Sequence, residues 1–537
     1  VSLFMSAVLI LNTLTALITQ QTDQIGIIKA IGGTTGTVLK IYLTEVLVYG
    51  LLALFISLPL GAFIAFGLSK TFLNLFNIDY EVFQSSNRAI VFQVMAAIAA
   101  PLIAALWPVL KGATITVREA IASYGLGGDF GSGWLDRVVE IIGRRFLPSH
   151  YAVALGNTFR RKGRLALTQL VLVTAGAMFL MVMSLSSSIA FTLDSEFKRR
   201  GYDAVVSFDD RERIDRAVAL AQSLDGVEKA EVWFGQPATV LREGQRTKEA
   251  GLGAEINAVP SGSDMYKPLI VAGRWLQPGD DRVIVMSKET ADDNHIKLGD
   301  TVTLDLGELG DDDWQVVGFY QVVFGGGFET DSIYAPQHAV FAATKKYNQG
   351  RQLYVRTRFH NEDYAEAVTD QLKDLYEERN MGVFYNQTIH EIRRGSESMF
   401  SIPITMLMSL AVIVALVGGI GLMGSLSISV VERTREIGVM RAIGARSRTM
   451  MGMFVMEGVL QGLFSWAIAV PISFVLGKPM ANALGQTMFE GVNLDYAYNF
   501  EAVIVWLVII LVISTLASIL PARNATVISV RESLAYE

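Results

Sequence analysis

The sequence predicts an α-helical polytopic membrane protein with seven spans, arranged as two parallel repeats, and one α/β domain outside the membrane. Three observations carry this prediction. Of the 537 residues, 51% are hydrophobic and only 18% charged, and mean hydropathy is +0.38, whereas about 25% charged is usual for a soluble domain. Seven apolar segments approach or exceed the roughly 20 residues that a helix needs to cross a bilayer. A ten-residue pattern near the start of the chain returns near its end. The same apolar content excludes disorder. With no cysteine, disulfides, thiolate metal sites and cysteine nucleophiles are excluded too.

The apolar segments run Val1–Thr19, Ile41–Leu68, Ala89–Leu110, Leu165–Leu193, Met399–Val431, Thr449–Gly477 and Ala502–Ala522. The longer ones imply tilt, or helix that continues beyond the lipid. Met399–Val431 is uncharged throughout and is expected to project as a stalk at its Pro403 end. Pro59 and Pro471 fall inside two spans, where a proline kinks a helix. Val1 opens inside an apolar stretch with no basic start region, which reads as a chain lacking its N-terminus, not as a signal peptide.

Lysine and arginine set the sidedness. Segments Thr22–Lys40, Lys111–Arg164, Glu432–Arg448 and Arg523–Glu537 hold 18 of the 21 basic residues outside the block 193–400. The short loops between the remaining span ends keep only Lys70, Arg88 and Lys478. The four basic segments are therefore expected in the cytoplasm, and residues 194–398 outside. The block 193–400 holds 36 acidic and 24 basic side chains, a net of −12, against −7 for the whole chain. No basic stripe is interleaved with aromatics, so nucleic acid is not an expected partner; membrane lipid is.

Within the acidic block, strand-like runs at Ala204–Phe208, Val232–Phe234, Arg282–Met286, Thr301–Leu306, Gln315–Tyr320 and Leu353–Thr357 predict a mixed α/β domain. Helical patterns at Arg213–Ser223 and Glu362–Arg379 complete it. On the cytoplasmic side, Trp134, Leu135, Val138, Val139, Ile141, Ile142 and Phe146 share one helical face, opposite Asp136, Arg137, Glu140 and Arg144. A helix lying in the membrane interface and a helix packed on a partner protein fit that pattern equally.

Self-similarity is the most informative feature. Gln24-Ile-Gly-Ile-Ile-Lys-Ala-Ile-Gly-Gly33 matches Glu436-Ile-Gly-Val-Met-Arg-Ala-Ile-Gly-Ala445, and at the same shift Glu45 meets Glu457 and Pro59 meets Pro471. One residue out of phase, Pro108 meets Pro521, and Val117-Arg-Glu119 meets Val530-Arg-Glu532. Four crossings separate the copies, so both have one orientation, unlike the inverted repeats of many secondary transporters. Each copy places a short amphipathic segment between two long helices. In the second, Ile437, Met440 and Ile443 recur at helical spacing while Arg435, Glu436 and Arg441 supply charge. Such a segment is a docking knob for a soluble partner. An ordinary positive-inside flank explains one such loop, but not the same paired glycines twice.

Glu432-Arg-Thr-Arg-Glu-Ile-Gly-Val-Met-Arg-Ala-Ile-Gly-Ala445, set between two membrane helices, resembles the signature of MacB/FtsX-type ABC transporter permeases. Gly273-Arg-Trp, Val283–Ser287, Leu298-Gly-Asp-Thr-Val302 and Val316-Val-Gly318 are similar to the MacB-like periplasmic core domain. The resemblance covers nearly the whole chain except about 123–150. It implies a first permease unit over 1–122, with three helices and a coupling helix at about 22–37. A cytoplasmic linker over 123–164 and a helix over 165–193 would follow. The extracytoplasmic domain would occupy 194–398, and a second permease unit 399–537, with a coupling helix at about 432–447 and a cytoplasmic tail. The opening helix and outer domain of the first unit are expected to precede Val1.

The resemblance also implies a mechanism. Closure of an ATP-binding dimer, carrying ATP and magnesium on about two partner subunits per chain, would pass through the coupling helices to the outer domain. Glu432, Arg435, Glu436, Gly438, Arg441 and Gly444 would dock one ATPase subunit, and Gln24, Gly26, Lys29 and Gly32 the other. Asp23 and Gln24 stand where Arg435 and Glu436 do, so the first copy brings less charge to its contact. The membrane would be a prokaryotic plasma membrane. Residues 194–398 would face a substrate or a protein partner.

Other chemistry finds little support. No Gly-x-x-x-x-Gly-Lys-(Ser/Thr) loop occurs, so ATP hydrolysis is expected on another polypeptide. Gly32-Gly-Thr-Thr-Gly36 lacks the lysine and reads as a helix C-cap. Glu45 and Glu457 lie within apolar spans; anchoring the coupling segment is preferred to a proton or substrate relay, or to simple exposure to water. Asp292-Asp293 and Asp311-Asp-Asp313 read as solvated turns, and Gly325-Gly-Gly327 as a loop between strands. The five histidines show no zinc spacing, and no serine elbow occurs, so no catalytic or metal residues are assigned. An exporter's permease subunit leads the readings. An FtsX-like regulator that signals to an outer protein follows, and an ion-coupled transporter comes last.

Overall fold

The computed structural model describes residues 2–74, 78, 86–117, 155–156, 158–159, 162–241, 252–321, 331–488 and 494–527. The interfacial helix expected over 134–146, Gly325–Gly327 and the Val530–Glu532 end of the repeat lie outside these residues. The chain forms two compact units. One comprises Val1–Ser184, Ile402–Gly477 and Asn499–Glu537; the other comprises Leu185–Ser401 and Lys478–Tyr498.

The first unit is helical. Helices α1 (Ser2–Gln20), α2 (Thr22–Ala30), α3 (Thr35–Asn74) and α4 (Asn87–Thr114) form the first repeat. Helix α5 spans Lys162–Phe197. Among the described residues, six helices are long and apolar enough to cross a membrane: Thr35–Lys70, Asn87–Thr114, Lys162–Phe197, Ile389–Glu432, Ser447–Gly485 and Phe500–Thr526. The expected span at Val1–Thr19 falls on the 19-residue α1, whose described apolar stretch, Ser6–Thr15, is shorter than a span. Phe55, Phe63, Ile103, Val475, Ile504 and Leu516 are exposed on these helices, as surfaces solvated by lipid require.

Helices pack closely where side chains are small. Gly458 and Gly462 lie one turn apart on Ser447–Met488, facing Phe500–Val527. A Cβ on Gly458 would collide with Ser518 Oγ, and one on Gly462 with Ser514 Oγ. This small-xxx-small seam lets backbones approach in lipid, where no hydrophobic force drives helices together.

The second unit is a mixed α/β domain on a ten-stranded sheet. Strands β1 (Ala204–Arg213), β2 (Val227–Leu241) and β3 (Leu252–Val259) come first, with helix α6 (Ile214–Gln222) between β1 and β2. Then follow β4 (Ile270–Gly273), β5 (Val283–Ser287), α7 (Lys288–Asp293), β6 (Thr301–Asp305), β7 (Asp311–Tyr320) and β8 (Asp331–Pro336). Helix α8 (Gln337–Thr344), β9 (Gln349–Thr357), α9 (Glu362–Glu378) and β10 (Val383–Thr388) complete it. The order is β10-β1-β9-β2-β3-β8-β5-β7-β4, with β6 against β2 and β7; β3 runs parallel to β8 and β5 parallel to β7. The aspartates expected in turns instead open β7 (Asp311–Asp313) and end α7 (Asp292, Asp293). Arg282 meets Asp312 at 2.7 Å, and Thr303 donates to Asp313 at 2.6 Å.

Each local choice has a cause. Asn361 caps α9 by accepting from the Tyr364 N–H, and Glu362 and Asp363 fill its first turn. Ala365, Val368, Leu372 and Tyr376 then recur on its buried face. The 15-residue β2 serves two cores. Its first half pairs with β9, over Val232 and Leu353. Its second half pairs with β3, over Phe234, Val240 and Ile256. Between the cores sit Trp233, Tyr266, Tyr334 and Tyr354, where burial pushes the three phenols well above their usual range. On α5, the Ser188 and Thr192 hydroxyls accept the backbone N–H groups of Ala497 and Asp495 at 2.9 and 3.0 Å.

Lys229 and Arg356 reach the Asp264 carboxylate at 2.6 and 3.0 Å. Their hydrogen bonds hold its pKa down at about 2, against about 3.9 unfolded. Its stabilisation is therefore complete above about pH 5 and is lost as pH falls through about 2. Asp264→Asn is expected to lower the thermal midpoint at pH 7, with the gap to wild type closing between about pH 4 and 2; melts across that range check it. Gly458→Leu is expected to cost about 1–3 kcal/mol through overpacking. Gly424→Leu, at a position with open space around it, should be tolerated in the same melts.

Candidate coupling site

Two short helices carry the repeated motif. In the second repeat, α10 (Ile389–Glu432) leads to α11 (Thr434–Ala442), which is followed by α12 (Ser447–Met488) and α13 (Phe500–Val527). Helices α2 and α11 are each nine residues long. Both end at a glycine with positive φ, +100° at Gly32 and +102° at Gly444. Nothing crowds either position, so the requirement is the left-handed turn itself. The Gly33 N–H then donates to Ile28 O at 2.8 Å and the Ala445 N–H to Met440 O at 2.9 Å, the six-to-one bond of a Schellman stop. Gly32-Gly-Thr-Thr-Gly36 is thus a helix end followed by the start of α3.

The inner face of each helix is pinned by one isoleucine. Ile25 is buried among Ile18, Val38, Tyr42, Val109 and Ala113. Ile437 is buried among Val430, Met450, Phe454, Ala522 and Ala525. Gly26 and Gly438 are buried beside them, while Gln24, Arg435 and Glu436 are exposed. The outer face is apolar: Ile27 and Val439 are exposed, and Ile31 and Ile443 are each 82% exposed. The expected stripe of Ile437, Met440 and Ile443 therefore divides, with Ile437 facing in and Ile443 facing out.

The basic residues of the motif turn back onto their own repeat. Lys29 Nζ donates to Ile115 O, just past α4, at 2.7 Å. Arg441 donates to Thr526 O in the last turn of α13, and to Ser447 Oγ at 3.2 Å. Both satisfy carbonyls left unpaired at a helix C-terminus, where the dipole favours a cation.

Glu457 and Glu45 differ. Glu457 on α12 is buried and meets the Arg433 guanidinium at 3.3 and 3.4 Å and Ser429 Oγ at 3.4 Å. Arg433 is the residue just before α11, and its neighbour Glu432 pairs with Arg164 at 3.2 Å. In the first repeat Gln21 stands in Arg433's place and accepts from Tyr42 OH at 2.7 Å. Glu45 accepts from Tyr49 OH, one turn along the same helix, at 3.2 Å. Pro59 and Pro471 lie inside α3 and α12, neither of which is interrupted. Among the described residues no acidic or histidine cluster could hold a metal. Arg433, Ser429, Gln21 and Tyr42 were not singled out from sequence. The signal was present in the 24-residue spacing from Arg433 to Glu457, repeated from Gln21 to Glu45.

The FtsX-like permease C-terminal family model matches residues 1–117 and 408–530, and the MacB-like periplasmic core domain model matches 165–375. A macrolide export ATP-binding/permease protein MacB of Hahella chejuensis is 28% identical over 56% of this chain and 46% of its own length. The MacB of Shewanella oneidensis is 33% identical over 29% of this chain and 22% of its own. The chain thus spans less than half the length of these two relatives. An uncharacterised ABC transporter permease of Methanocaldococcus jannaschii is 24% identical over 52% of this chain and 70% of its own. Among solved structures, the periplasmic region of MacB from Actinobacillus actinomycetemcomitans aligns with 38% of this chain and 96% of its own, at 13% identity and a TM-score of 0.28. Two copies of the permease model flanking one periplasmic core model account for the repeat, the spans and the sheet alike, and the chain belongs to the MacB/FtsX-type ABC transporter permeases.

Proposed function

We propose that the chain is the membrane subunit through which ABC-type ATP-binding subunits drive export, or extracytoplasmic movement, across a prokaryotic plasma membrane. One observation carries the reading: two nine-residue helices, related by the repeat, are each pinned from within and present exposed isoleucines outward. Two such knobs suit two ATP-binding subunits, which would hold ATP and magnesium. The relatives named for macrolide export combine ATP-binding and permease functions, and the ATP-binding part of the proposed machine is assigned to polypeptide outside these 537 residues, which contain no phosphate loop.

The basic flanks put both knobs in the cytoplasm and residues 194–398 outside. Within the knobs the roles divide. Ile27, Ile31, Val439 and Ile443, with Gln24, Arg435 and Glu436 around them, meet the ATP-binding subunits. Gly32 and Gly444 set the turn, and Gly26 and Gly438 sit against the membrane helices. Lys29 and Arg441 brace each knob on the third helix of its repeat, and Glu432 braces α5 through Arg164. Movement of a knob is then carried by α10 toward the outer domain.

Co-purification of the complex in mild detergent, with bound ATPase assayed, tests this reading. Ile443→Asp places a charge in the contact, and the recovered ATPase is expected to fall at least about tenfold; undiminished ATPase would sink the docking surface. Bulky substitution by leucine at Gly438 is expected to cost more ATPase coupling than at Gly26, because Gln24 brings no charge where Glu436 does. Equal losses would refute that asymmetry.

A further inference from the structure

We infer that the two repeats transmit unequally, because the buried Arg433–Glu457 pair locks the second coupling helix to its membrane hairpin where the first repeat has only a neutral bond. The inference deepens the coupling reading and rests on it for what the lock transmits; the lock itself is a property of this chain alone.

The geometry makes the pair a cross-brace. Arg433 lies at the joint between α10 and α11, and Glu457 lies on α12. Ser429 on α10 donates to the same carboxylate, and Arg164 on α5 reaches Glu432 at the adjoining position. Three long helices therefore meet at the root of α11. Both partners of the pair are buried. Separating them would leave two uncompensated charges at low dielectric, so the joint resists opening far more than a neutral hydrogen bond does.

The first repeat retains the glutamate and lacks the cation. Glu45 bonds to Tyr49 on its own helix, which braces nothing across elements, and among the described residues no cation meets it. Gln21, at the joint between α1 and α2, is held by the Tyr42 hydroxyl, where the second repeat has the apolar Phe454. A push on α11 accordingly moves α5, α10 and α12 together, while a push on α2 is partly absorbed at its joint.

Hydrogen exchange on the full chain in lipid nanodiscs, without nucleotide or ATPase, tests the lock. Amides of α11 are expected to exchange about tenfold more slowly than those of α2. Arg433→Gln should remove that difference and Arg433→Lys should retain part of it. Gln21→Arg combined with Tyr42→Phe should slow α2 toward α11, which keeps the test decisive even where Arg433→Gln fails to fold. Equal exchange of α2 and α11 in the unaltered chain, or no slowing in the first-repeat double variant, would overturn the inference. A chain that recovers no ATPase would count against the proposed function and leave this result readable. With ATP-binding subunits present, Arg433→Gln should abolish any ATP-dependent exchange change in residues 383–400 and leave ATP hydrolysis in place; an unchanged response overturns the transmission step.

Discussion

A nine-residue helix closes too few internal hydrogen bonds to persist in water, so α2 and α11 exist only because something outside them holds them. That something is the burial of Ile25 and Ile437 in apolar pockets built by the flanking membrane helices. Once the isoleucine is fixed, the rest of each hairpin follows. The chain must stop and reverse within a few residues, which calls for the left-handed glycine. The last turn faces the open carboxyl end of the third helix, which calls for a lysine or arginine. The opposite face is left with Ile31 and Ile443 directed outward. The knob is thus a by-product of anchoring: the helix cannot bury one face without offering the other.

The outer domain has an analogous economy. Strand β2 is long enough to leave one core and enter another, so the two share a backbone. Gly273 and Gly318 pair across β4 and β7, and a Cβ on either would strike the neighbouring backbone. The motif residues Gly273-Arg-Trp and Val316-Val-Gly318 are therefore two sides of one close approach. Arg274 closes that corner on Asp280, with two bonds at 2.6 and 2.8 Å.

Six of the seven expected spans, the repeat and its two short helices were legible because each depends on local pattern: run length, and a spacing seen twice. Strands buried on both faces, such as β5, were legible as continuous apolar runs. Strands β3, β4, β8 and β10 were not. Strands β4 and β10 are edges, with every residue of β4 and all but the last of β10 exposed or half-buried, and β8 is short and opens on Asp331. Asp311–Asp313 looked like a turn because charge density is read without knowing that Arg282 and Thr303 lie opposite. The site was half legible. Glu457 was found as an acid in an apolar span, but its partner Arg433 was hidden in a basic loop where every arginine already had a reason to be present. The inward turn of Lys29 and Arg441 depends on where a third helix ends, far along the chain, and no local pattern reports that.

The hydroxyls of α5 carry a mechanical consequence. Ser188 and Thr192 lie four residues apart on a helix, about 6 Å. The groups they hold, Ala497 and Asp495, lie only two residues apart, so that strap must be nearly fully extended to keep pace, at about 3.3 Å per residue. Helix and strap are graduated differently yet coincide at these two marks, like the scales of a vernier. Sliding by a fraction of the interval would leave both hydroxyls out of register with the strap's amides at once. Any travel of the strap along α5 would therefore come in detents of about 6 Å, not as a continuous glide.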